Sequence, residues 1–554
     1  QIPHILRNLL AATLNLPTHQ VRVIVPEVGG GFGSKLNAYP EDLVLAFASM
    51  KLGRPIKWIE DRSENMVATI HGRDQVDYIE LAATREGRVT GMKLHVISDL
   101  GSYSQLFTDI IALGFMLPVV CGAYDIPNLY TSIDTVFTNK TPTDAYRGAG
   151  RPEATFAIER AMDLVARELG KDPAEVRMLN FIKPDQFPYK SVTGAVYDTG
   201  NYAGALEKAL DLIDYKNLRA DIASQRAAGK LIGVGISSYI EICGFGPKGT
   251  VPIGLYESAR MRVEGSGMVM VYSGSSPHGQ GEETTFAQIV AGEYGIPVEQ
   301  VLILHGDTDS TPEGRGTYGS RTTAVGGSAV YTAAQRLGEK MKQIAAHLLE
   351  ASPSDVTLEN GNFSVAGSPQ KSLSFNEVAA AANFSNTLPA SIEPGLETTV
   401  FWEPQACTFP FGTHICVVEV DKDTGEMRIL RYVAVDDCGR QLNPMIVHGQ
   451  IHGGIVQGVG QAMVEGVEYS EDGQLLTGSF MDYAMPLASE FPQFELDHTI
   501  TLTSVNPLGV KGIGEAGTIG STPAVASAVA DALGVSDVQM PFKPERLWKV
   551  IHHQ

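Results

Sequence analysis

The sequence predicts a mixed α/β fold of the α+β class, arranged as two successive lobes that each contain β-sheets and packed helices. Two observations lead to this prediction. Runs of β-branched residues pass into glycine-rich loops and then into helix-forming segments, and this order occurs in both halves of the chain. The length of 554 residues also exceeds the ~150 residues typical of one domain. The sequence has no fixed-period repeat, so a solenoid is not expected.

The first lobe opens with the order strand, loop, helix. The β-branched run 21–25 predicts a strand, and the glycines within residues 28–35 predict a loop. A helix is expected over residues 40–52, because Pro40 suits its first turn and Gly53 its end. The other elements predicted here are strands near 76–82 and 89–97, a helix over 152–169 ended by Gly170, and a helix starting at Pro173 with Asp172 as N-cap.

The boundary between the lobes is predicted in an aperiodic stretch. Residues 183–202 are rich in Pro, Gly, Tyr and Asp, and we place the boundary there or just beyond, near residues 215–230. The two lobes are then residues 1–215 and 216–554. The elements predicted for the second lobe are a strand over 268–272, a loop over 273–281, a helix over 282–293, a loop over 314–327, a helix over 329–349, and strands over 413–420 and 426–435.

The composition excludes several classes of protein. The net charge is -21, and no cluster of Lys and Arg offers the basic patch that nucleic acid requires. The same acidity argues against binding to membrane surfaces. The longest uncharged apolar run, residues 110–124, is shorter than the ~20 residues of a spanning helix. We therefore expect no nucleic-acid partner and no membrane span.

The cysteines and the start of the chain carry further expectations. None of the five cysteines stands in C-x-x-C spacing, so neither a zinc ribbon nor a self-contained iron–sulfur site is expected. Their odd and sparse number indicates a reducing compartment, here the cytoplasm. The chain starts at Gln1 without a Met or a signal peptide, and we expect a product truncated at its N-terminus.

Three glycine-rich loops are candidates for binding an anion through converging backbone N–H groups. They cover residues 29–35 (GGGFGSK), residues 273–281 with His278 and Gln280, and residues 316–323 with Arg321. The first loop fails both the P-loop and the Rossmann spacing, because Ser34 stands where each needs glycine. The alternative without a ligand is a tight turn for the first loop, a solvated turn for the second and a polar helix entry for the third. Together the loops indicate a ligand that carries phosphate.

Three further segments each allow two interpretations. Arg147 and Arg151 flank a glycine-rich bend, where they orient an anionic or carbonyl-bearing substrate or form surface pairs with Glu153 and its neighbours. Residues 452–460 are a helix with glycines at close packing points or a cofactor wall, and the residues alone favour the helix. Glu515 lies between glycines: in a dry pocket its pKa would rise and it would act as a general base, whereas a solvated turn is the alternative.

Six motifs occur in this order along the whole chain: GGGFGSK, AYRGAGRPE, HGQG, GTYGSR, GGIVQGVG and VKGIGEAG. This set resembles the molybdopterin-binding large subunit of the xanthine oxidase family of molybdenum hydroxylases. Within that family it is most similar to large-subunit homologues of bacterial aerobic carbon monoxide dehydrogenase. The resemblance implies that both lobes bind the molybdenum cofactor.

The resemblance implies roles for individual residues. Glu515 is similar to the family's catalytic base, and Arg147 to its active-site arginine. Gln1 stands where the family places a glutamine that hydrogen-bonds a ligand of the metal. The positions implied to bind the cofactor are Gln1, Gly31, Phe32, Gly33, Arg147, Gly279, Gln280, Gly281, Gly319, Ser320, Arg321, Thr322, Gln457 and Gly514. The molybdenum is implied to be held through the pterin, near Gln1, Phe32 and Glu515, with no protein side chain as a direct ligand.

The activity is implied in the same way. A catalytic large subunit of this family oxidises an N-heterocycle or an aldehyde with water as the oxygen source, and Glu515 is implied to take up a proton. The implied cofactor is molybdopterin with molybdenum, in its cytosine dinucleotide form. Electrons then leave to an iron–sulfur small subunit and an FAD medium subunit, in a dimer of heterotrimers. Two alternatives stay open: an aerobic carbon monoxide dehydrogenase large subunit, and a non-catalytic cofactor-binding or assembly subunit.

Three positions depart from the family's best-known patterns. Members that oxidise carbon monoxide carry a Cys directly after the active-site arginine, where this sequence has Gly148. Members that oxidise purines carry a Glu where this sequence has Leu36, and a Phe where it has Ala149. The resemblance therefore implies a more open pocket for an N-heterocycle or an aldehyde.

Overall fold

A computed structural model describes residues 1–247, 255–384, 386 and 388–552. In these residues the α-helices are α1 (Pro3–Thr13), α2 (Pro40–Leu52), α3 (Arg62–Ala68), α4 (Arg151–Leu169), α5 (Pro173–Asn180), α6 (Tyr202–Ile213), α7 (Tyr215–Ala227), α8 (Glu282–Tyr294), α9 (Ser328–Leu348), α10 (Phe375–Phe384), α11 (Pro444–Met463), α12 (Ala516–Leu533) and α13 (Pro544–His552).

The strands alternate with the helices in both lobes, which confirms the mixed α/β class. They are β1 (Gln75–Ala83), β2 (Val89–Gly101), β3 (Leu129–Phe137), β4 (Tyr189–Lys190), β5 (Val196–Tyr197), β6 (Leu231–Ile240), β7 (Glu257–Val263), β8 (Val269–Ser273), β9 (Val301–Leu304), β10 (Val356–Glu359), β11 (Asn362–Val365), β12 (Ser368–Ser374), β13 (Leu396–Trp402), β14 (Phe411–Val420), β15 (Met427–Asp437) and β16 (Glu495–His498).

Local capping signals predict the helix ends well. Helix α2 begins at Pro40, and Gly53 follows it in the left-handed region with a φ of 64°. Gly170 ends α4 in the same way, with a φ of 62°. The Asp172 side chain caps α5 by accepting a hydrogen bond from the Ala174 N–H at 2.8 Å. These stops form because only glycine adopts a left-handed backbone without steric cost, and because the cap satisfies a helix N–H.

The strand predicted over residues 21–25 is wrong. Only Ile24 forms a β-bridge there, with Asp307, and the Val25 N–H donates to the Gly306 carbonyl at 2.6 Å. The β-branched residues do favour an extended backbone. The neighbouring segment is a turn around Gly306, whose φ is 74°. A turn cannot continue the hydrogen-bond ladder that a β-strand needs.

The sheets place the site-bearing loops at their ends. The first lobe has β2 between antiparallel β1 and parallel β3. The second lobe has two four-stranded sheets, in the orders β13-β7-β8-β9 and β16-β15-β14-β6. Strand β14 is antiparallel to β6, with Phe411 opposite Ile240 at the end of β6. The chain directly beyond Ile240 enters the functional site.

One hydrophobic core reaches across the predicted boundary at residue 215. Ile158 of α4 and Leu206 of α6 pack in the same cluster as Ile236 of β6 and Ile415 of β14. Each fully buried side chain of this size contributes about 1.5–3 kcal/mol. The two lobes are therefore held together by shared apolar packing, and the boundary at residue 215 stays a prediction.

Small residues bring α11 and α12 into close contact. A Cβ added at Gly454 would lie 2.9 Å from the Gly517 Cα, and one added at Gly458 would overlap the Ser521 hydroxyl. The preference for a helix over residues 452–460 is thereby confirmed. Glu515 is the N-cap of the buried helix α12, so the packing of this pair sets its position.

Across residues 1–247, 255–384, 386 and 388–552, no helix combines the length and the apolar character needed to cross a bilayer.

Candidate functional site

A cavity of about 250 Å³ lies where the glycine-rich loops of the two lobes meet. Of the residues predicted from the sequence, eleven line it: Gln1, Phe32, Gly33, Arg147, Gly279, Gln280, Gly319, Ser320, Thr322, Gly514 and Glu515. The fold thus gathers segments from positions 1 to 515 around one space.

Glu515 is held on both carboxylate oxygens. The Gly148 N–H donates to Oε1 at 2.9 Å. The Ser320 hydroxyl donates to Oε2 at 3.1 Å, and the Arg151 guanidinium contacts the same oxygen. The Glu515 side chain is 14% exposed, and the cavity borders it. One carboxylate is therefore fixed at the cavity wall with three donors.

The pKa of Glu515 moves opposite to the expectation from sequence. Burial raises the pKa of this carboxyl group, but the charge of Arg151 and the Gly148 N–H outweigh burial, so the pKa lies below its ordinary value. The N-terminus of α12 favours the negative charge as well. The expected rise is wrong because the pocket supplies a guanidinium that the sequence did not place there. Glu515 is consequently ionised at neutral pH.

Glu241 is a site residue that sequence reasoning missed. It follows β6 directly, is fully buried, and its Oε1 lies 3.6 Å from Arg151 Nη2. Burial, and then the charge of Glu515, raise the pKa of Glu241 to about 8 against the pull of Arg151. The one signal in the sequence is a carboxylate between Ile240 and Ile242, inside an otherwise apolar run.

The two arginines of the bend have different partners from those expected. Arg151 is 1% exposed and pairs with Glu515, so a surface pair with Glu153 is wrong. Arg147 donates from Nε to the Gly514 carbonyl at 2.6 Å and from Nη1 to Gln457 Oε1 at 3.0 Å.

The remaining contacts of Arg147 also face the protein. Its Nη2 donates to the Gln450 carbonyl at 3.0 Å, and its guanidinium lies 5.5 Å from the Phe32 ring centroid. Arg147 thus ties the first lobe to α11 and to the segment before Glu515.

The first loop is built around Gln1. Its Oε1 accepts from the Gly33 N–H at 3.0 Å, and its Nε2 donates to the Thr317 carbonyl at 2.9 Å. A Cβ added at Gly33, whose φ is 113°, would overlap the Ala145 carbonyl. Phe32 is lifted into the cavity from a left-handed backbone with a φ of 55°. Gln1 therefore joins the first and third loops.

The second and third loops present backbone and hydroxyl groups to the cavity. Gln280 folds back, accepting from the His278 N–H at 2.7 Å and donating to Glu282 at 3.1 Å. A Cβ added at Gly279 would meet nothing within 4 Å, so its backbone faces open space. Ser320 has a φ of 52°, a conformation that costs a non-glycine residue about 1–3 kcal/mol.

Four predicted cofactor residues do not line the cavity: Gly31, Gly281, Arg321 and Gln457. Arg321 Nη1 pairs with Glu257 at 2.7 Å, and its other donors reach the backbone carbonyls of residues 255, 256 and 316. Glu257 supplies the buried partner that a buried charge requires, so the Arg321 guanidinium is paired inside the protein, and its role in binding the cofactor stays a prediction. Gln457 instead accepts from Arg147.

An aromatic wall, formed by Phe107, Phe115, Phe245 and Tyr318, lines the same cavity as Glu515. The ring centroids of Phe115 and Phe245 are 5.4 Å apart, and those of Phe107 and Tyr318 are 5.8 Å apart. Arg151 joins this wall to Glu515, since its guanidinium lies 5.7 Å from the Phe115 ring centroid. The sequence offered no spacing that would group these rings.

Family models, curated proteins and solved structures match this chain. Two families described as molybdopterin cofactor-binding domain match residues 1–181 and 208–492. The carbon monoxide dehydrogenase large chain of Afipia carboxidovorans is 40% identical over 99% of this chain and 70% of its own length.

Two further relatives cover the chain to a similar extent. The 6-hydroxypseudooxynicotine dehydrogenase complex subunit gamma of Paenarthrobacter nicotinovorans is 38% identical over 98% of this chain and 68% of its own length. The solved structure of quinoline 2-oxidoreductase from Pseudomonas putida 86 has a TM-score of 0.96 and 36% identity, over 100% of this chain and 72% of that one.

Proposed function

This chain belongs to the carbon monoxide dehydrogenase/xanthine oxidase family as a molybdopterin-binding catalytic large subunit, and we propose that it oxidises an N-heterocycle or an aldehyde with water as oxygen source. The observation that carries the proposal is the ionised Glu515, held by three donors at the cavity wall. A carboxylate kept charged beside an apolar cavity is a general base in its active form.

The cavity suits the molybdopterin cofactor, which this family of domains binds. Its loops expose backbone at Gly279 and hydroxyl groups at Ser320 and Thr322, which suit a pterin and its phosphate. The buried Tyr318 hydroxyl has no partner among the described residues and lines the same space. In the described residues, no group of three or more His, Cys, Asp or Glu is arranged to hold a metal. We propose the cytosine dinucleotide form, bound between lobes of residues 1–215 and 216–554.

The protein's own groups divide the work of the reaction. When bound, the molybdenum cofactor supplies the two-electron oxidation. Glu515 takes up the proton that the reaction releases, on a carboxylate whose orientation Gly148 and Ser320 hold. Arg147 fixes the Gly514 carbonyl, which keeps the backbone of the base in place. The aromatic wall excludes water from the side where the substrate is held.

The cavity wall favours an aromatic N-heterocycle as substrate. Leu36 is buried and apolar where purine-oxidising members carry a Glu, and the aromatic wall offers ring faces for stacking. The relative named quinoline 2-oxidoreductase points to the same class. The alternative activity, oxidation of carbon monoxide, is disfavoured by Gly148, where a Cβ would overlap Pro152.

We propose that electrons leave to an iron–sulfur small subunit and an FAD medium subunit, in a cytoplasmic dimer of heterotrimers. All five cysteines are free and buried, and no three of them gather with one another or with His, Asp or Glu to hold a metal in the part of the chain that the structure describes. The relative named as a complex subunit gamma supports an assembly of several chains.

Replacement of the base tests the function. Glu515→Gln should lower turnover by ~10²–10⁴-fold with an N-heterocycle and an artificial dye, because the amide cannot accept the proton. Molybdenum content should stay unchanged. Glu471→Gln, at an exposed turn, is the matched control and should keep full activity.

Two results would overturn the proposal. Full turnover of Glu515→Gln would remove Glu515 as the base. A matured complex that holds molybdenum but oxidises no member of a panel of N-heterocycles and aldehydes would favour the non-catalytic assembly subunit instead.

A further inference from the structure

The carboxyl pair Glu241–Glu515 shares a single guanidinium. Arg151 Nη2 contacts the Glu515 carboxylate and lies 3.6 Å from Glu241 Oε1. Arg151 and Glu241 are 1% and 0% exposed. One positive charge cannot neutralise two buried carboxylates, and a surplus buried charge is strongly destabilising. The pair therefore carries one proton.

The hydrogen bonds decide which carboxyl group holds that proton. Glu515 is contacted by the Gly148 N–H, the Ser320 hydroxyl and Arg151, all of which favour a carboxylate. No donor among the described residues meets full hydrogen-bond geometry at either carboxyl oxygen of Glu241. The Glu515 carboxylate and the Ser320 hydroxyl face Glu241, and the contact between the two carboxyl groups requires a proton on one of them. Ionisation is better stabilised on Glu515 than on Glu241, so the proton resides on Glu241.

The other groups that face Glu241 are either neutral or direct their donors away from the carboxyl pair. They come from its own strand end, from the bend before α4 and from the loop before α9: Tyr239, Cys243, Arg147 and Ser320. Burial raises the pKa of the Tyr239 hydroxyl and of the Cys243 thiol well above their ordinary values, so both stay neutral. Arg147 is a second buried cation whose charge acts on both Glu515 and Glu241, but its donors go to Gly514, Gln450 and Gln457 instead of to either carboxyl group.

We infer that Glu241 is a positioning residue for the base: as a neutral acid behind Arg151, it leaves the guanidinium to Glu515 and so keeps Glu515 ionised and oriented. This inference rests on the proposed function of Glu515. Loss of the Glu241 proton would make the two carboxylates compete for Arg151. Activity should therefore fall as the pH rises through the pKa of Glu241, which burial brings to about 8.

The pH profile of the purified complex tests this role. Glu241→Gln is neutral at every pH and keeps the shape of the side chain. Its turnover at about pH 7 should stay within roughly threefold of the parent, and the decline of kcat/KM near pH 8 should disappear. Glu241→Asp restores a titrating group and should restore the decline. A decline that persists in Glu241→Gln, or a loss of turnover as large as that of Glu515→Gln, overturns the inference.

Infrared spectroscopy gives a readout that does not need turnover. In difference spectra at about pH 7, the carbonyl stretch of one protonated carboxylic acid should be present in the parent and lost in Glu241→Gln, while the bands of other buried acids such as Glu282 cancel. It should also be lost in Glu515→Gln, because Glu241 then has Arg151 to itself and ionises. Glu465→Gln, at a second buried carboxyl group with a pKa raised to about 7, is the matched control and should keep the Glu241 signal.

The outcomes separate the two proposals. A Glu241 signal that persists in Glu515→Gln would mean that burial alone holds the proton, and the inference would fail while Glu515 remained the base. Full activity of Glu515→Gln would instead overturn the proposed function.

Discussion

The backbone N–H of Gly148 donates a hydrogen bond to Glu515 Oε1 at 2.9 Å, across 367 positions of the chain. Gly148 belongs to the bend before α4, and Glu515 is the N-cap of α12. The contact joins a first-lobe segment to a second-lobe helix at the point where the charge of the base is stabilised. Both lobes are therefore needed to form the site.

Removal of the Arg151 charge should shift the acid limb of the pH–activity profile to higher pH. Arg151 counteracts the burial that would raise the pKa of Glu515, so without it that pKa rises. Glu515 acts as a base only when it is ionised. As the pH is lowered, Arg151→Met should therefore begin to lose activity at a higher pH than the parent does. The measurement is kcat/KM against pH with an N-heterocycle.

A matched control for this change lies on the same helix. Arg160 of α4 is also largely buried but pairs with Asp163 at 3.0 Å, away from Glu515. Arg160→Met should leave the acid limb in place. An unshifted limb in Arg151→Met would show that Arg151 does not set the ionisation of Glu515.

Introducing the cysteine of carbon monoxide oxidisers should not introduce their activity. Gly148 has a φ of 104°, and a Cβ there would overlap the Pro152 ring. Gly148→Cys should lose about 1–3 kcal/mol of stability through backbone strain alone. We expect a lower Tm, weaker N-heterocycle oxidation and no oxidation of carbon monoxide.

The steric contribution can be isolated at a second glycine. Gly194 has a φ of 90°, and a Cβ added there would meet nothing within 4 Å. Gly194→Cys therefore introduces the backbone strain of a positive φ without a steric overlap. Gly148→Cys should have the lower Tm of the two. Carbon monoxide oxidation by Gly148→Cys would contradict the substrate assignment.

Truncation of the aromatic wall should separate aromatic from aliphatic substrates. Phe245→Ala removes a ring that packs on Phe115 beside the Arg151–Glu515 pair. Lost stacking of about 0.5–1.5 kcal/mol should raise the KM for a bicyclic N-heterocycle several-fold and change kcat little. Acetaldehyde should show no such rise. Phe384→Ala, at an 80% exposed ring, is the control, and an equal rise for both substrates would contradict stacking.

Arg321 should contribute to stability and not to cofactor binding. It is paired with Glu257 inside the protein, and removal of one member of a buried pair costs about 3–5 kcal/mol. Arg321→Met should lower the Tm, and adding Glu257→Gln should recover part of the loss. The folded fraction should retain its pterin. Loss of pterin at an unchanged Tm would return Arg321 to the cofactor site.

Local signals were sufficient for much of the secondary structure. Pro40, Gly53 and Asp172 set helix ends because their effects act within one helical turn. The run 21–25 does not form the predicted strand because a strand also needs a neighbouring strand, and here the neighbour is a turn at Gly306.

The sequence by itself determined the fold class, the family resemblance and the identity of Glu515 as the carboxylate of interest. Only the tertiary structure decided how that carboxylate ionises. Arg151 and Gly148 lower the pKa of Glu515, whereas burial raises the pKa of Glu241, a residue that belongs to no motif. The physical reason is that backbone propensities act over a few residues, whereas the free energy of a buried charge depends on groups brought together from hundreds of positions away.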